Sequence, residues 1–76
     1  MNIREKLQSI EALGMGGGQI CVVIRSRGET ALYEGKTLTE LLANPKMEPI
    51  LDKTFVNCGG AYMINPTTTE ISFRLD

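Results

Sequence analysis

The sequence predicts an α+β fold: an N-terminal helix, then two strands, a helix and two or three further strands, with the helices on one face of a mainly antiparallel sheet. Ile3, Leu7 and Ile10 recur at helical spacing. Ile20–Ile24 is an unbroken apolar run, which is typical of a strand covered on both faces. Glu70–Leu75 alternates apolar and polar residues, as a half-buried strand does. From the first strand onward this is the order of a β-grasp, the first of several topologies that the sequence allows.

The composition indicates one folded domain over residues 1–76. Hydrophobic residues make up 42% of the chain and charged residues 22%. The net charge of −1 gives no basic excess, which excludes general nucleic-acid binding. No apolar run approaches the about 20 residues that cross a bilayer, and the charged start M-N-I-R-E-K is not that of a signal peptide. We therefore expect a cytoplasmic protein that makes no membrane contact.

The first helix is predicted over Asn2–Leu13. Asn2 can cap it, and Glu5 three residues later completes a capping box. Gly14 is a natural stop. The glycine-rich stretch that follows leaves a helix and enters a strand, the reverse of the order in dinucleotide and P-loop motifs. A flexible connector is therefore favoured over a nucleotide loop, and a nest of main-chain N–H groups is the remaining alternative.

The next two strands are predicted over Gln19–Ser26 and Glu29–Glu34, joined by a two-residue turn at Arg27-Gly28. This turn length places Ile24 opposite Ala31. One face of the hairpin then belongs to the core, and the other carries a smaller apolar patch. A chain this small barely covers both faces of a strand, so the patch predicts a homo-oligomer or a partner protein. The predicted interface residues are Cys21, Val23 and Leu32.

A short second helix is predicted from Thr37 to about Ala43, because Thr37-Leu38-Thr39-Glu40 reads as a capping box. Asn44-Pro45 ends this helix, since the residue before proline is pushed out of the helical region. The following loop is expected to pack three apolar side chains beneath the core: Met47, Ile50 and Leu51.

The last third of the chain predicts strands over Thr54–Cys58 and Ala61–Ile64, interrupted at Gly59-Gly60, and a closing strand over Glu70–Leu75. Asn65–Thr69 has strong turn chemistry. The simplest hairpin makes two cross-strand pairs, Ile64 with Ile71 and Tyr62 with Phe73.

The sequence contains few of the residue types and spacings that form catalytic sites. There is no histidine, which excludes Ser-His-Asp and Cys-His arrangements and histidine-based zinc sites within one chain. The carboxylates are dispersed, so no metal site is expected. Cys21 and Cys58 lie far apart without a C-x-x-C motif, which favours free thiols over a single disulfide. Cys58 has no evident base beside it. We predict a protein that is not an enzyme and has no cofactor.

Two corners of the fold are candidate sites for an anion. If the last strand runs parallel beside the first, as in a β-grasp, the Gly59-Gly60 segment lies near the first hairpin tip. The predicted corner there consists of Arg25, Arg27, Asn57, Gly59 and Gly60; arginines that keep a hairpin tip soluble are the alternative. At the opposite end, amides and hydroxyls that suit a phosphorylated ligand would meet: Gly16, Gly17 and Gly18 with Thr67, Thr68 and Thr69.

Three segments give the sequence a family resemblance: A-L-Y-E-G-K (Ala31–Lys36), T-L-T-E-L-L (Thr37–Leu42) and E-I-S-F-R-L (Glu70–Leu75). Together they resemble the small orphan proteins carried by bacteriophages and mobile elements of low-GC Gram-positive bacteria. The resemblance covers about half of the chain and transfers no catalytic residue. It implies antagonism of host defence by binding, either by blocking an effector protein or by sequestering a nucleotide signal.

Three functions follow as hypotheses. The first is a non-catalytic binding protein that inhibits a larger host protein by direct contact. The second is an oligomer that sequesters a phosphorylated nucleotide between its subunits. The third is a structural dimerisation module without a ligand.

Overall fold

The computed structural model describes residues 1–14 and 19–76. In these ranges the elements are α1 (Ile3–Ala12), β1 (Gln19–Ser26), β2 (Glu29–Gly35), α2 (Leu38–Leu42), α3 (Glu48–Leu51), β3 (Asn57–Asn65) and β4 (Thr68–Arg74). The four strands form one sheet in the order β2-β1-β4-β3. Strands β1 and β4 are parallel, and the two outer pairs are antiparallel. The α+β prediction is confirmed, and the strand order is that of a β-grasp.

The core lies on one face of the sheet, beneath the helices. Alternate residues of β1 and β4 enter it together with the buried side chains of all three described helices. Its members are Ile3, Leu7, Ile10, Ile20, Val22, Ile24, Leu38, Leu41, Met47, Leu51, Ile71 and Phe73. Met47 and Leu51 are fully buried, as predicted, although their segment forms the short helix α3 and not a loop.

The opposite face of the sheet, here called the open face, receives the intervening residues of each strand. No helix in the described ranges packs on it, because each contributes its buried side chains to the core on the other side. From β1, β2 and β4 the open face carries Cys21, Val23, Arg25, Thr30, Leu32, Glu34, Glu70, Ser72 and Arg74.

The β1–β2 hairpin has the predicted register, with Ile24 paired to Ala31. Its turn residues Arg27 and Gly28 have φ values of 52° and 79°. Positive φ at both central positions is what a tight two-residue hairpin turn requires, and it matches the twist of the strands on either side.

Strand β3 differs from the prediction. It is one strand that runs through the Gly59-Gly60 segment, with register shifts between Cys58 and Gly60 and again near Met63. Asn65 pairs directly with Thr68, so the turn is the two residues Pro66-Thr67 and not the longer predicted loop, and the two shifts displace the pairing further. The predicted pairs of Ile64 with Ile71 and of Tyr62 with Phe73 are therefore wrong. Ala61 pairs with Ile71, and Tyr62 pairs with Glu70.

Candidate functional site

Three polar side chains lie side by side at one end of the open face. Arg25 of β1 is the register partner of Arg74 of β4, and Arg74 is in turn the partner of Asn57 of β3. Neighbouring strands are about 4.8 Å apart, so the Cα atoms of the two arginines are separated by about 5 Å. We call this end, formed by Arg25, Arg74, Asn57, Ser72 and Gly59, the arginine corner.

The arginine corner encloses a depression of about 310 Å³. Its lining residues are Arg25, Asn57, Gly59, Ser72, Phe73 and Arg74. A Cβ placed on Gly59 would overlap the Ser72 hydroxyl, so the space above Ser72 depends on the missing side chain. Two guanidinium groups, a carboxamide and a hydroxyl can all donate hydrogen bonds, which is the chemistry that holds a phosphate or a carboxylate.

The C-terminal residues tie the two arginine-bearing strands together. The Leu75 N–H donates to the Arg25 carbonyl at 2.9 Å. The Arg27 N–H donates to the Asp76 carboxylate, and the Nε–H of Arg74 donates to the Asp76 carbonyl, both at 2.7 Å. A guanidinium has five N–H donors, and this contact uses one of those on Arg74. The tail therefore holds the Arg74 guanidinium through its Nε–H and leaves the four N–H donors of the two terminal nitrogens for other contacts.

The opposite end of the open face is acidic. Glu34 and Glu70 flank Cys21, which is the register partner of both. Burial raises the pKa of the Cys21 thiol, and the negative charges of Glu34 and Glu70 raise it further. The open face therefore carries positive charge at the C-terminal ends of β1 and β4, and negative charge near their N-terminal ends.

The structure brings three residues of the first predicted corner together. Arg25, Asn57 and Gly59 line one depression. Gly60 lies next to it, opposite Ser72. Arg27 lies apart from that depression and lines a second one, together with Ser26, Lys53, Thr54, Leu75 and Asp76.

Sequence reasoning missed Ser72 and Arg74. The alternation of Glu70–Leu75 already places both residues on the wet face of their strand. The alternation does not give the register of β4 against β1, and this register places Arg74 opposite Arg25.

Only the threonine half of the second predicted corner falls within the described residues. Gly16, Gly17 and Gly18 lie outside the described residues. Thr67 donates twice to the side chain of Asn65, through its N–H at 2.9 Å and its hydroxyl at 3.1 Å. Thr69 is buried opposite Ile20, and Thr68 pairs with Gln19. The Thr67 hydroxyl and the buried Thr69 are thus held within the fold.

The predicted interface residues share the open face. Val23 and Leu32 are direct register partners, and Cys21 lies two residues along β1. Leu32 is 61% exposed, whereas Val23 beside it is 5% exposed. An exposed leucine beside a buried valine forms the apolar middle of this face.

Other reactive chemistry is sparse in the described ranges. Cys21 and Cys58 are free thiols. Over the described residues, no group of three or more histidine, cysteine, aspartate or glutamate side chains could hold a metal ion. In those ranges no helix has the length and apolar character needed to cross a bilayer.

Comparison of the chain with protein-family models, with curated proteins and with solved structures gives no match. The geometry and charge of the open face are therefore the features that indicate a function.

Proposed function

We propose that this chain is a small non-catalytic binding protein that inhibits a larger protein by direct contact, with an acidic group of that protein held in the arginine corner. The observation that carries the proposal is the pairing of Arg25 with Arg74 on adjacent strands, next to the exposed Leu32. Arginine beside apolar surface is the combination enriched at protein interfaces. Two guanidinium groups that begin about 5 Å apart can fork onto a single carboxylate.

The resemblance to small phage and mobile-element proteins suggests the kind of target, a protein of the host's defence. Binding alone is sufficient for such a role, because a small protein that covers an effector's working surface inhibits it without chemistry. This agrees with a corner that offers hydrogen-bond donors and charge but contains no histidine.

A second candidate function is the sequestration of a phosphorylated nucleotide. It is favoured by the size of the depression, about 310 Å³, which lies at the lower end of the range for small-molecule sites. The donors of Arg25, Arg74, Asn57 and Ser72 suit phosphate as well as carboxylate.

The test compares three anions on the same protein by isothermal titration calorimetry: a glutamate-rich peptide, inorganic phosphate and a nucleoside diphosphate. We expect binding to fall at least tenfold in Arg25→Ala and in Arg74→Ala. Arg27→Ala is the matched control, because Arg27 is an arginine of the same hairpin that lies outside the depression.

Tightest binding of the peptide supports the inhibitor, and tightest binding of the nucleotide supports sequestration. If none of the three binds, or if Arg27→Ala weakens binding as much as Arg74→Ala does, the role given to the arginine corner is wrong.

A further inference from the structure

The charges of the open face are arranged evenly on either side of a middle row. This row consists of register partners on all four strands: Leu32, Val23, Ser72 and Gly60. Arg25 and Arg74 lie two residues from the row, toward the C-terminal ends of β1 and β4. Two residues in the other direction lie Glu70 on β4 and Glu34 on β2. Positive and negative groups are thus equally far from the row.

We propose that a second copy of this chain covers the open face, related to the first by a two-fold axis that runs across the strands along the middle row. This rotation reverses the strand direction and keeps each strand over its own counterpart. The arginine end of each copy then lies over the acidic end of the other. Arg74 faces the partner subunit's Glu70, and Arg25 lies next to the partner subunit's Glu34.

The distances fit this arrangement. Arg74 and Glu70 are four residues apart on one strand, which is about 13 Å, so each is about 6.5 Å from the axis. Facing sheets pack about 10 Å apart, a gap that arginine and glutamate side chains span together. Such an isologous contact forms each ion pair twice, once on either side of the axis.

The charges also favour this axis over the other two-fold axis in the plane of the interface, which runs parallel to the strands. A two-fold axis parallel to the strands, midway between β1 and β4, would place Arg25 over the partner subunit's Arg74 and Arg74 over the partner subunit's Arg25, with the acidic end of each copy over that of the other. Like charges brought together in an interface disfavour that packing. The face is therefore complementary to itself in only one of the two arrangements.

The middle row supplies the apolar part of the contact. On the axis, Leu32 meets its own counterpart, which removes an exposed leucine from water. Four strands span only about 19 Å, so the buried area lies at the low end for specific complexes. We expect a dimer that dissociates in the micromolar range.

This inference goes beyond the proposed function, because it states what covers the open face when no ligand is bound. Anion binding and dimer formation both use Arg25 and Arg74. A ligand's anion and the second copy therefore compete for these two side chains. The ligand must displace the partner's carboxylates from the arginine corner.

The test reverses the charges of the proposed ion pair between Arg74 and the partner subunit's Glu70, one residue at a time. In Glu70→Arg both ends of β4 are positive, and in Arg74→Glu both are negative, so each variant repels its own copy. In an equimolar mixture the positive variant lies over the negative one, and all charges pair again. By analytical ultracentrifugation we expect the wild type to dimerise, each variant alone to dimerise at least tenfold more weakly, and the mixture to recover the wild-type constant. Native mass spectrometry identifies the mixed dimer.

Circular dichroism establishes that each variant is folded. If either variant of the Glu70 pair does not fold, Glu34→Arg mixed with Arg25→Glu gives the same test on the second ion pair. A wild type that stays monomeric at several hundred micromolar overturns the inference. So does a mixture of folded variants that stays monomeric.

The result is separable from that of the proposed function. Glu70→Arg keeps the arginine corner and should still bind inorganic phosphate, whereas Arg74→Glu should not. That pattern holds whether or not the chain forms dimers.

Discussion

Arg25 and Arg74 lie directly opposite each other on the two central strands, with both side chains on the open face. Like charges at directly opposed positions destabilise a sheet by up to about 1 kcal/mol. We therefore expect Arg25→Gln to raise the free energy of unfolding by about 0.5 kcal/mol at low salt. Urea unfolding in about 20 mM and about 1 M salt measures the effect, which should fade as the charges are screened.

Arg27→Gln is the control for this experiment, because Arg27 lies on the turn and does not face Arg74. It should leave stability unchanged at either salt concentration. A loss of stability in Arg25→Gln would show that the guanidinium makes a favourable contact that outweighs the repulsion.

The acidic end of the open face gives a prediction about thiol reactivity. Burial raises the pKa of Cys21, and the carboxylates of Glu34 and Glu70 raise it further. Removing either negative charge lowers this pKa, which increases the thiolate fraction at a given pH. Glu34→Gln and Glu70→Gln should therefore each speed the alkylation of Cys21 by iodoacetamide near pH 8.

The rates are measured by mass spectrometry of the separate cysteine peptides, so that Cys58 serves as an internal reference. The acceleration should be larger at low salt. Equal acceleration at both cysteines would mean that the substitutions loosen the whole fold and do not act through charge.

The β1–β2 hairpin shows how far local pattern determines structure. An apolar run, two turn residues and side-chain alternation were enough to predict the extent of β1 and the pairing of Ile24 with Ala31. The β3–β4 hairpin could not be predicted in the same way. Its turn is only two residues long, and its bulges at Cys58 and near Met63 change the register further without a local signature beyond a pair of glycines.

The arginine corner was only partly predictable for a related reason. Grouping Arg25 with Asn57 and Gly59 required one topological assumption, that the last strand is parallel to the first. Finding Arg74 required the register between strands that are distant in sequence, and long-range packing sets this register. Arg27 lines a different depression from Arg25, because proximity in sequence does not determine which depression a turn residue lines.

Gly59 and Ser72 should be energetically coupled. A Cβ at position 59 overlaps the Ser72 hydroxyl but keeps an ordinary 3.7 Å contact with the Ser72 Cβ. Gly59→Ala therefore forces the serine side chain off its present rotamer, at a cost of about 1 kcal/mol, and puts a methyl group at the wall of the depression. In the Ser72→Ala background the same substitution meets no hydroxyl, so its cost to stability should disappear.

A double-mutant cycle by urea unfolding measures this coupling, with phosphate binding as the second readout. We expect Gly59→Ala to weaken phosphate binding in both backgrounds, because the added methyl group narrows the space above residue 72. Additive stability changes would show that the two residues do not meet as described.

The N-terminal cap of α1 should be one of the most sensitive surface positions of the fold. The Asn2 side chain accepts from the Glu5 N–H at 2.8 Å, and the Glu5 side chain accepts from the Asn2 N–H at 3.0 Å. Asn2 also forms an isolated bridge with Thr54. Asn2→Ala should therefore cost about 1 to 2 kcal/mol of stability. The capping box predicted for α2 is only half formed: the Thr37 hydroxyl accepts from the Glu40 N–H at 3.0 Å, but the Glu40 side chain accepts from the N–H of Lys36 and not from that of Thr37.

Asn2→Asp separates the cap from other roles of this residue. An aspartate keeps the oxygen that accepts from Glu5, and its negative charge is favourable at a helix N-terminus. We expect its stability to lie within about 0.5 kcal/mol of the wild type, measured by urea unfolding beside Asn2→Ala. If both substitutions cost the same, the side-chain oxygen is not what stabilises the start of α1. The main-chain contact of Ile3 with the Lys53 carbonyl, at 3.1 Å, would then be the bond that holds the helix to the rest of the fold.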